Sequence, residues 1–211
     1  MKTTINCFIP FADAAQAEKT IQGLKSSNLV KDIYLLVTED TEVPLQGCRI
    51  LHVPALNSTA AMRIIAAHSD ADYTLFYTKY TTLKLGMFAL ERMTRIAEDS
   101  VAGMVYADHY QVSEGIQKNA PVIDYQFGSL RDDFNFGSVL LYKASALQEA
   151  VTRMKTDYQF AGLYDLRLKL SQKESLVHIN EYLYSEIEND TRKSGEKIFD
   201  YVDPKNRGVQ I

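Results

Sequence analysis

Short apolar, β-rich runs alternate with segments of helical period along the first half of the chain, and this alternation restricts the fold more than any other feature. TINCFIPF, stopped by Pro10, reads as a first strand. Asp13 then caps a helix through about Lys25, with Ala17, Ile21 and Leu24 at helical spacing. KDIYLLVTED is a continuous apolar run, as expected where both faces of a sheet are covered, and CRILHVP follows as a third strand. Asn57 or Ser58 caps a second helix with Met62, Ile65 and Ala66 on one face. ADYTLFYTKYTTL is a fourth strand, and LGMFALERMTRIAED a helix striped by Ala89, Leu90, Met93, Ile96 and Ala97. AGMVYADHYQV returns as a strand. The order β-α-β-β-α-β-α-β predicts a three-layer α/β/α, Rossmann-like domain with a mixed, mainly parallel central sheet.

From about residue 110 the pattern shortens to small strands, including NFGSVLLYK, then helices over 144–154 and 163–173 and a hairpin-like end. No internal repeat, low-complexity linker or composition break divides the 211 residues, so 1–211 is read as one domain. Residues 203–211 place Asp203 at an N-cap and Pro204 at the first helical position, which reads either as a frayed terminus or as the start of a helix truncated from a longer parent chain.

The formal charge of −4 gives no general electrostatic basis for binding nucleic acid. Cys7 and Cys48 are too few and too far apart for a disulfide framework or a zinc site and read as reduced thiols of a cytosolic protein. The N-terminal apolar run is too short for a signal peptide, and no window approaches the length needed to cross a bilayer. These points predict a cytoplasmic chain, with peripheral contact at the inner face of a membrane left open. No Ser-His-Asp or Cys-His arrangement, Walker loop or Gly-x-Gly-x-x-Gly is present. PFADAAQ, after the first strand, lacks the glycines a nucleotidyltransferase loop requires.

Ligands of open α/β sheets bind at the carboxyl ends of strands. At the end of the fourth strand stand Thr78, Lys79 and Tyr80, hydroxyls around one cation with no carboxylate.

In the order and lengths of its elements the chain resembles glycosyltransferase family 2, with its GT-A fold. The resemblance runs through INCFIPF, DIYLLVTED, RILHVP, DADYTLFYTKYTTLKLGMFALERM and AGMVYAD. It continues through NFGSVLLYKASALQEA and YDLRLKLSQKESLVHINEYLY, covering almost the whole chain. It implies transfer of a sugar from a nucleotide-diphosphate donor to an acceptor hydroxyl, in glycan or polysaccharide assembly. Residues up to about 110 would then form the nucleotide-sugar half and 111–202 the acceptor side.

The family chemistry needs a nucleoside-binding carboxylate after the second strand, an Asp-x-Asp holding a divalent metal after the fourth, and a later carboxylate as general base. The resemblance places Glu39 at the first position, beside Thr38 and Asp40, either as a nucleoside ligand or in a solvated turn. Pro10, Asp13 and Asp108 fall on the donor side. Thr78-Lys79-Tyr80 replaces the Asp-x-Asp, which implies no divalent cofactor. Lys79 either meets the diphosphate, helped by Thr78 and Tyr80 and a lid of Arg192, Lys193 and Lys197, or snorkels to solvent.

The family base sits in a Glu-Asp pair just before a Tyr-Asp-Leu run. Gly162 and Leu163 occupy that pair here. Asp165 lies two residues on, turned by roughly 200° on a helix, as either a catalytic carboxylate or a brace of its helix. Asp133, beside Asp132, is either a displaced base or part of an acidic turn. Asp108 and His109 would contact donor or acceptor, or join His178 around a metal, although four histidines without ligand spacing argue against the metal.

Two readings remain. One is a glycosyltransferase taking a nucleotide sugar and a glycan or lipid-linked acceptor. The other is an inactive GT-A scaffold or acceptor-binding module joined to an active transferase domain beyond Ile211.

Overall fold

The structure, a computed structural model, describes residues 3–38, 43, 45–131 and 133–188. The first half runs β1 (Ile5–Pro10), α1 (Ala14–Lys25), β2 (Val30–Val37), β3 (Arg49–His52), α2 (Thr59–Ala67), β4 (Tyr73–Tyr77), β5 (Thr82–Leu85) and α3 (Ala89–Asp99). The second half runs β6 (Met104–Ser113), β7 (Ile116–Ala120), β8 (Val139–Lys143), α4 (Ala144–Thr152), α5 (Gly162–Ser171) and β9 (Leu176–Ile187).

The helix starts follow cap chemistry. Asp13 accepts a hydrogen bond from the Gln16 amide at 2.8 Å, and Ser58 accepts one from the Ala61 amide at 3.1 Å. Ser58 rather than Asn57 is the cap of α2, because the Asn57 carbonyl accepts from the Leu163 amide.

Among the described residues the strands form one mixed sheet in the order β3-β2-β1-β4-β8-β6-β9-β5, with β7 on the far part of β6. The β3-β2-β1-β4 half is parallel throughout, β6 pairs β9 in parallel, and β8 runs antiparallel to both its neighbours. β2 shows why its apolar run is unbroken. Tyr34 and Leu36 face one core with α2, α4 and α5, and Ile33 and Leu35 face the other with α1 and α3. The result is the expected three-layer α/β/α arrangement.

Two local expectations need correction. Thr82–Leu85 is a separate strand, antiparallel to the end of β9, so α3 starts at Ala89 and not near Leu85. Gly86 makes the bend between them: its amide donates to the Leu183 carbonyl at 2.8 Å, and a Cβ there would lie 2.9 Å from that oxygen. The end of the described chain, β9, is one continuous strand of 12 residues and not a hairpin. The helix start at 203–211 lies outside the described residues. Cys7 and Cys48 are free thiols, and burial pushes both thiol pKa values up. No described helix is long and apolar enough to cross a membrane.

Candidate functional site

The parallel pairing of β1 and β4 brings Pro10 and Tyr77 to one rim of the sheet, and β8 begins there because it runs the other way. Tyr77 lies beside Val139, and the Thr78 amide donates to the Ser138 carbonyl at 2.9 Å. The loop carrying Lys79 is tied down from α1 as well. Gln16 donates to the Thr81 carbonyl at 2.8 Å, and the Leu83 amide donates to the Thr20 hydroxyl at 3.1 Å.

Lys79 does not present a free ammonium. Its Nζ lies 2.6 Å from Oε2 of Glu186, a carboxylate from β9 that is 3% exposed, while the Lys79 side chain itself is 46% exposed. The other oxygen, Oε1, lies 3.2 Å from Nε2 of His109 on β6, which is 2% exposed. The His109 ring stacks on Tyr184, with centroids 5.0 Å apart and planes 3° apart. The Tyr184 hydroxyl accepts from the Ser138 and Val139 amides at 2.8 and 3.3 Å, which fixes the start of β8. Burial pushes the Tyr184 phenol up to about 12 and raises Tyr77 too, so both stay neutral hydrogen-bonding groups near pH 7. Burial pulls the His109 imidazole below its ordinary range; Glu186 opposes that shift and Lys79 reinforces it.

Gly137 holds this cluster together by being small. Its φ is +72°, and a Cβ would sit 2.5 Å from the Tyr184 hydroxyl and 3.3 Å from the Ala107 carbonyl. Gly137→Ala adds left-handed strain to that collision. We expect a stability loss of about 2 kcal/mol or more, read from urea unfolding midpoints at constant m. An unchanged midpoint would show that the rim has room to relax.

The remaining sequence candidates separate. Pro10 is buried at the end of β1, and Asp13 is engaged as the α1 cap. Asp108 is 1% exposed, and one of its oxygens accepts from the Val122 amide at 2.8 Å and meets His178 Nε2 at 2.9 Å. His178 Nδ1 meets Asp124 at 2.6 Å, and the ring stacks on Tyr106 at 5.2 Å. Asp108, His109 and His178 therefore do not form one group, in line with the reading against a shared metal. Adjacent strand residues point to opposite faces, so His178 joins Asp108 while His109 turns to Glu186. No cluster of three potential ligands able to hold a metal occurs among the described residues.

Asp165 is buried on the first turn of α5, with Lys169 3.4 Å away one turn on. Asp133 is exposed, 3.2 Å from Arg131, on the wall of a cavity of about 670 Å³ shared with Asp124 and Asn135. Glu39, Arg192, Lys193 and Lys197, like Asp132, lie outside the described residues. Sequence reasoning missed Glu186, Tyr184 and Gly137. The one available signal was a glutamate inside the aromatic, strand-like run EYLYSEI, where a buried carboxylate requires a partner.

No protein-family model matches the chain, and no curated protein matches it by sequence. Solved structures do match its fold. The crystal structure of S. aureus TarS 1-349 superposes with a TM-score of 0.62 at 8% identity, over 88% of this chain and 60% of that one. TarS 1-349 in complex with UDP-GlcNAc superposes at 0.63 and 8% identity, over 90% and 60%. The chain thus spans about 60% of the TarS structures and shares their α/β fold.

Proposed function

We propose that the chain is a glycosyltransferase-like domain of the family 2 type that binds a nucleotide-diphosphate sugar at the carboxyl ends of β1 and β4. In this reading it passes the sugar to an acceptor hydroxyl of a growing glycan. One observation carries the proposal: Lys79, half-exposed at the end of β4, is the cation at the rim where a diphosphate would lie in this fold. The fold it shares with TarS, which was solved with the nucleotide sugar UDP-GlcNAc, supports the same class of ligand. Tyr80 flanks the ammonium with a hydroxyl able to donate to a phosphate oxygen, whereas the Thr78 hydroxyl donates to the Ser138 carbonyl at 3.3 Å and would have to turn outward to do the same.

The residues at this rim do not fit a divalent cation. Thr and Tyr are poor primary ligands, Lys79 repels a metal, and the nearby carboxylate, Glu186, is buried and already paired. Among the described residues, stabilisation of a leaving diphosphate here would come from the Lys79 ammonium and the neighbouring hydroxyls. Titration calorimetry with a panel of nucleotide-diphosphate sugars tests the reading. Binding should occur with an affinity that Mn²⁺ leaves unchanged, and Lys79→Ala should weaken it by about tenfold, the worth of one charge-assisted hydrogen bond. Failure of every donor to bind would remove the donor site.

A second reading is favoured by one feature, the apolar Gly162-Leu163 pair where the resembled family carries its Glu-Asp pair. With Gly162 packed on the start of α2, the domain would be a non-catalytic GT-A scaffold or acceptor-binding module working beside an active transferase domain. It predicts nucleotide-sugar binding or acceptor binding without turnover. Sugar transfer by the isolated chain, lost in Lys79→Ala, would exclude it.

A further inference from the structure

Glu186 is a buried carboxylate between two groups able to carry positive charge, and it needs only one of them. Lys79 holds Oε2 at 2.6 Å. His109 lies 3.2 Å from Oε1, but without hydrogen-bond alignment. Among the described residues Glu186 Oε1, His109 Nε2 and His109 Nδ1 all lack a hydrogen-bond partner. Buried polar atoms left idle in this way require an explanation. The two cations also differ in freedom. Lys79 is a flexible, half-exposed chain, whereas His109 is buried and stacked on Tyr184.

We infer that Lys79 and His109 exchange the charge of Glu186: when a diphosphate draws Lys79 away, His109 takes a proton from solvent and becomes the cation paired with Glu186. This rests on the reading that the β4 rim accepts a diphosphate.

The physical sequence is short. A diphosphate oxygen competes for the ammonium, and Lys79 swings outward. Glu186 is then a buried anion without a cation, which is costly unless a charge replaces the one lost. Nε2 of His109 binds the replacing proton and turns its N–H to Oε1. The departing ammonium also removes the like-charge repulsion that adds to burial in holding the imidazole neutral. The other groups facing His109 do not oppose the exchange, and the one that carries charge, Asp108, favours the protonated ring. Tyr184 across the stack and Tyr77 are neutral phenols, and Asp108, the preceding residue, points to the opposite face and is engaged by Val122 and His178. His109 is thus a positioning residue for the ligand, acting through Glu186 and Lys79.

Linkage fixes the sign. His109 binds protons more tightly in the complex than in the free protein. Affinity for the diphosphate therefore rises as pH falls through the window between the complex and free values, and levels off below the free value, where His109 is already protonated.

Two measurements test the inference. In the ligand-free protein, histidine-ring NMR titration should show His109 gaining proton affinity by about tenfold or more in Lys79→Met and losing it in Glu186→Gln. Lys79→Arg, which keeps the cation and guards against a variant that misfolds, should stay near wild type. An unchanged His109 in both Lys79→Met and Glu186→Gln would overturn the exchange. Calorimetry with UDP-GlcNAc in buffers of different ionisation enthalpy should then show uptake of about one proton per ligand in wild type and none in His109→Gln. Binding without proton uptake would overturn the inference and leave the donor site standing. Absence of binding, with the NMR shifts as expected, would instead reject the diphosphate reading and with it the coupling to ligand.

Discussion

Adding a side chain at residue 162 should cost the protein much of its stability. Gly162 opens α5, and a Cβ built there would sit 2.2 Å from the Thr59 nitrogen, 2.3 Å from the Ser58 carbonyl carbon and 2.7 Å from the Thr59 Cα. All three are backbone atoms at the N-terminus of α2, so no rotamer change relieves the collision. That backbone is itself held: the Thr59 amide donates to the Tyr158 carbonyl at 2.9 Å, and the Leu163 amide donates to the Asn57 carbonyl at 3.1 Å. Leu163 and Leu166, just beyond, are buried in the core that α5 shares with α2 and α4.

Ordinary helix propensity would favour alanine over glycine by about 1 kcal/mol at an interior position, and by less at this end position. Separating two packed helices costs more, so Gly162→Ala should lose about 3 kcal/mol or more, and Gly162→Asp more again. Urea unfolding of Gly162→Ala decides the matter. A midpoint at or above wild type would mean that α2 and α5 do not meet this closely and that a carboxylate at 162 is sterically possible. The expected loss would mean that residue 162 has no room for a carboxylate, whereas Asp133 stands on a cavity wall and Asp165 lies beside Lys169.

The parts of the fold legible in the sequence are those set by neighbours along the chain. Asp13 and Ser58 announce helix starts because a cap acts within three residues, and the double-sided run of β2 announces two covered faces. β5 was hidden because its partner, β9, follows it by about a hundred residues, while the apolar stripe after Gly86 already reads as helix. The rim hid its second half for the same reason. Lys79 and Glu186 are 107 positions apart, and nothing local to either one names the other. Thr78-Lys79-Tyr80 and Gly162-Leu163, standing where the family that the sequence resembles carries carboxylates, were both visible as departures, but the packing reason for the glycine was not. A glycine in a helix start reads as a weak propensity choice until the helix packed against it is known. The opposite faces of Asp108 and His109, in contrast, follow from strand period alone.

That alternation gives Asp108 a definite expected role. It is 1% exposed, and its Oδ1 serves both the Val122 amide and His178 Nε2, so it joins the loop after β7 to β9 across the middle of the sheet. Asp108→Ala strands a backbone N–H and a ring nitrogen in the interior together, and leaves His178 with Asp124 alone. The loss of a hydrogen-bonded, buried carboxylate should cost about 3 kcal/mol or more. Asp108→Asn keeps one acceptor oxygen in the same place and should lose less, about 1 kcal/mol. A direct donor contact predicts a different pattern, in which Asp108→Asn unfolds like wild type and binds nucleotide sugar poorly. The brace predicts an early unfolding midpoint for Asp108→Ala, a smaller shift for Asp108→Asn, and wild-type nucleotide-sugar affinity in the asparagine variant. Measuring unfolding and binding on both variants separates the two roles, because only a ligand contact loses affinity while the fold keeps its stability.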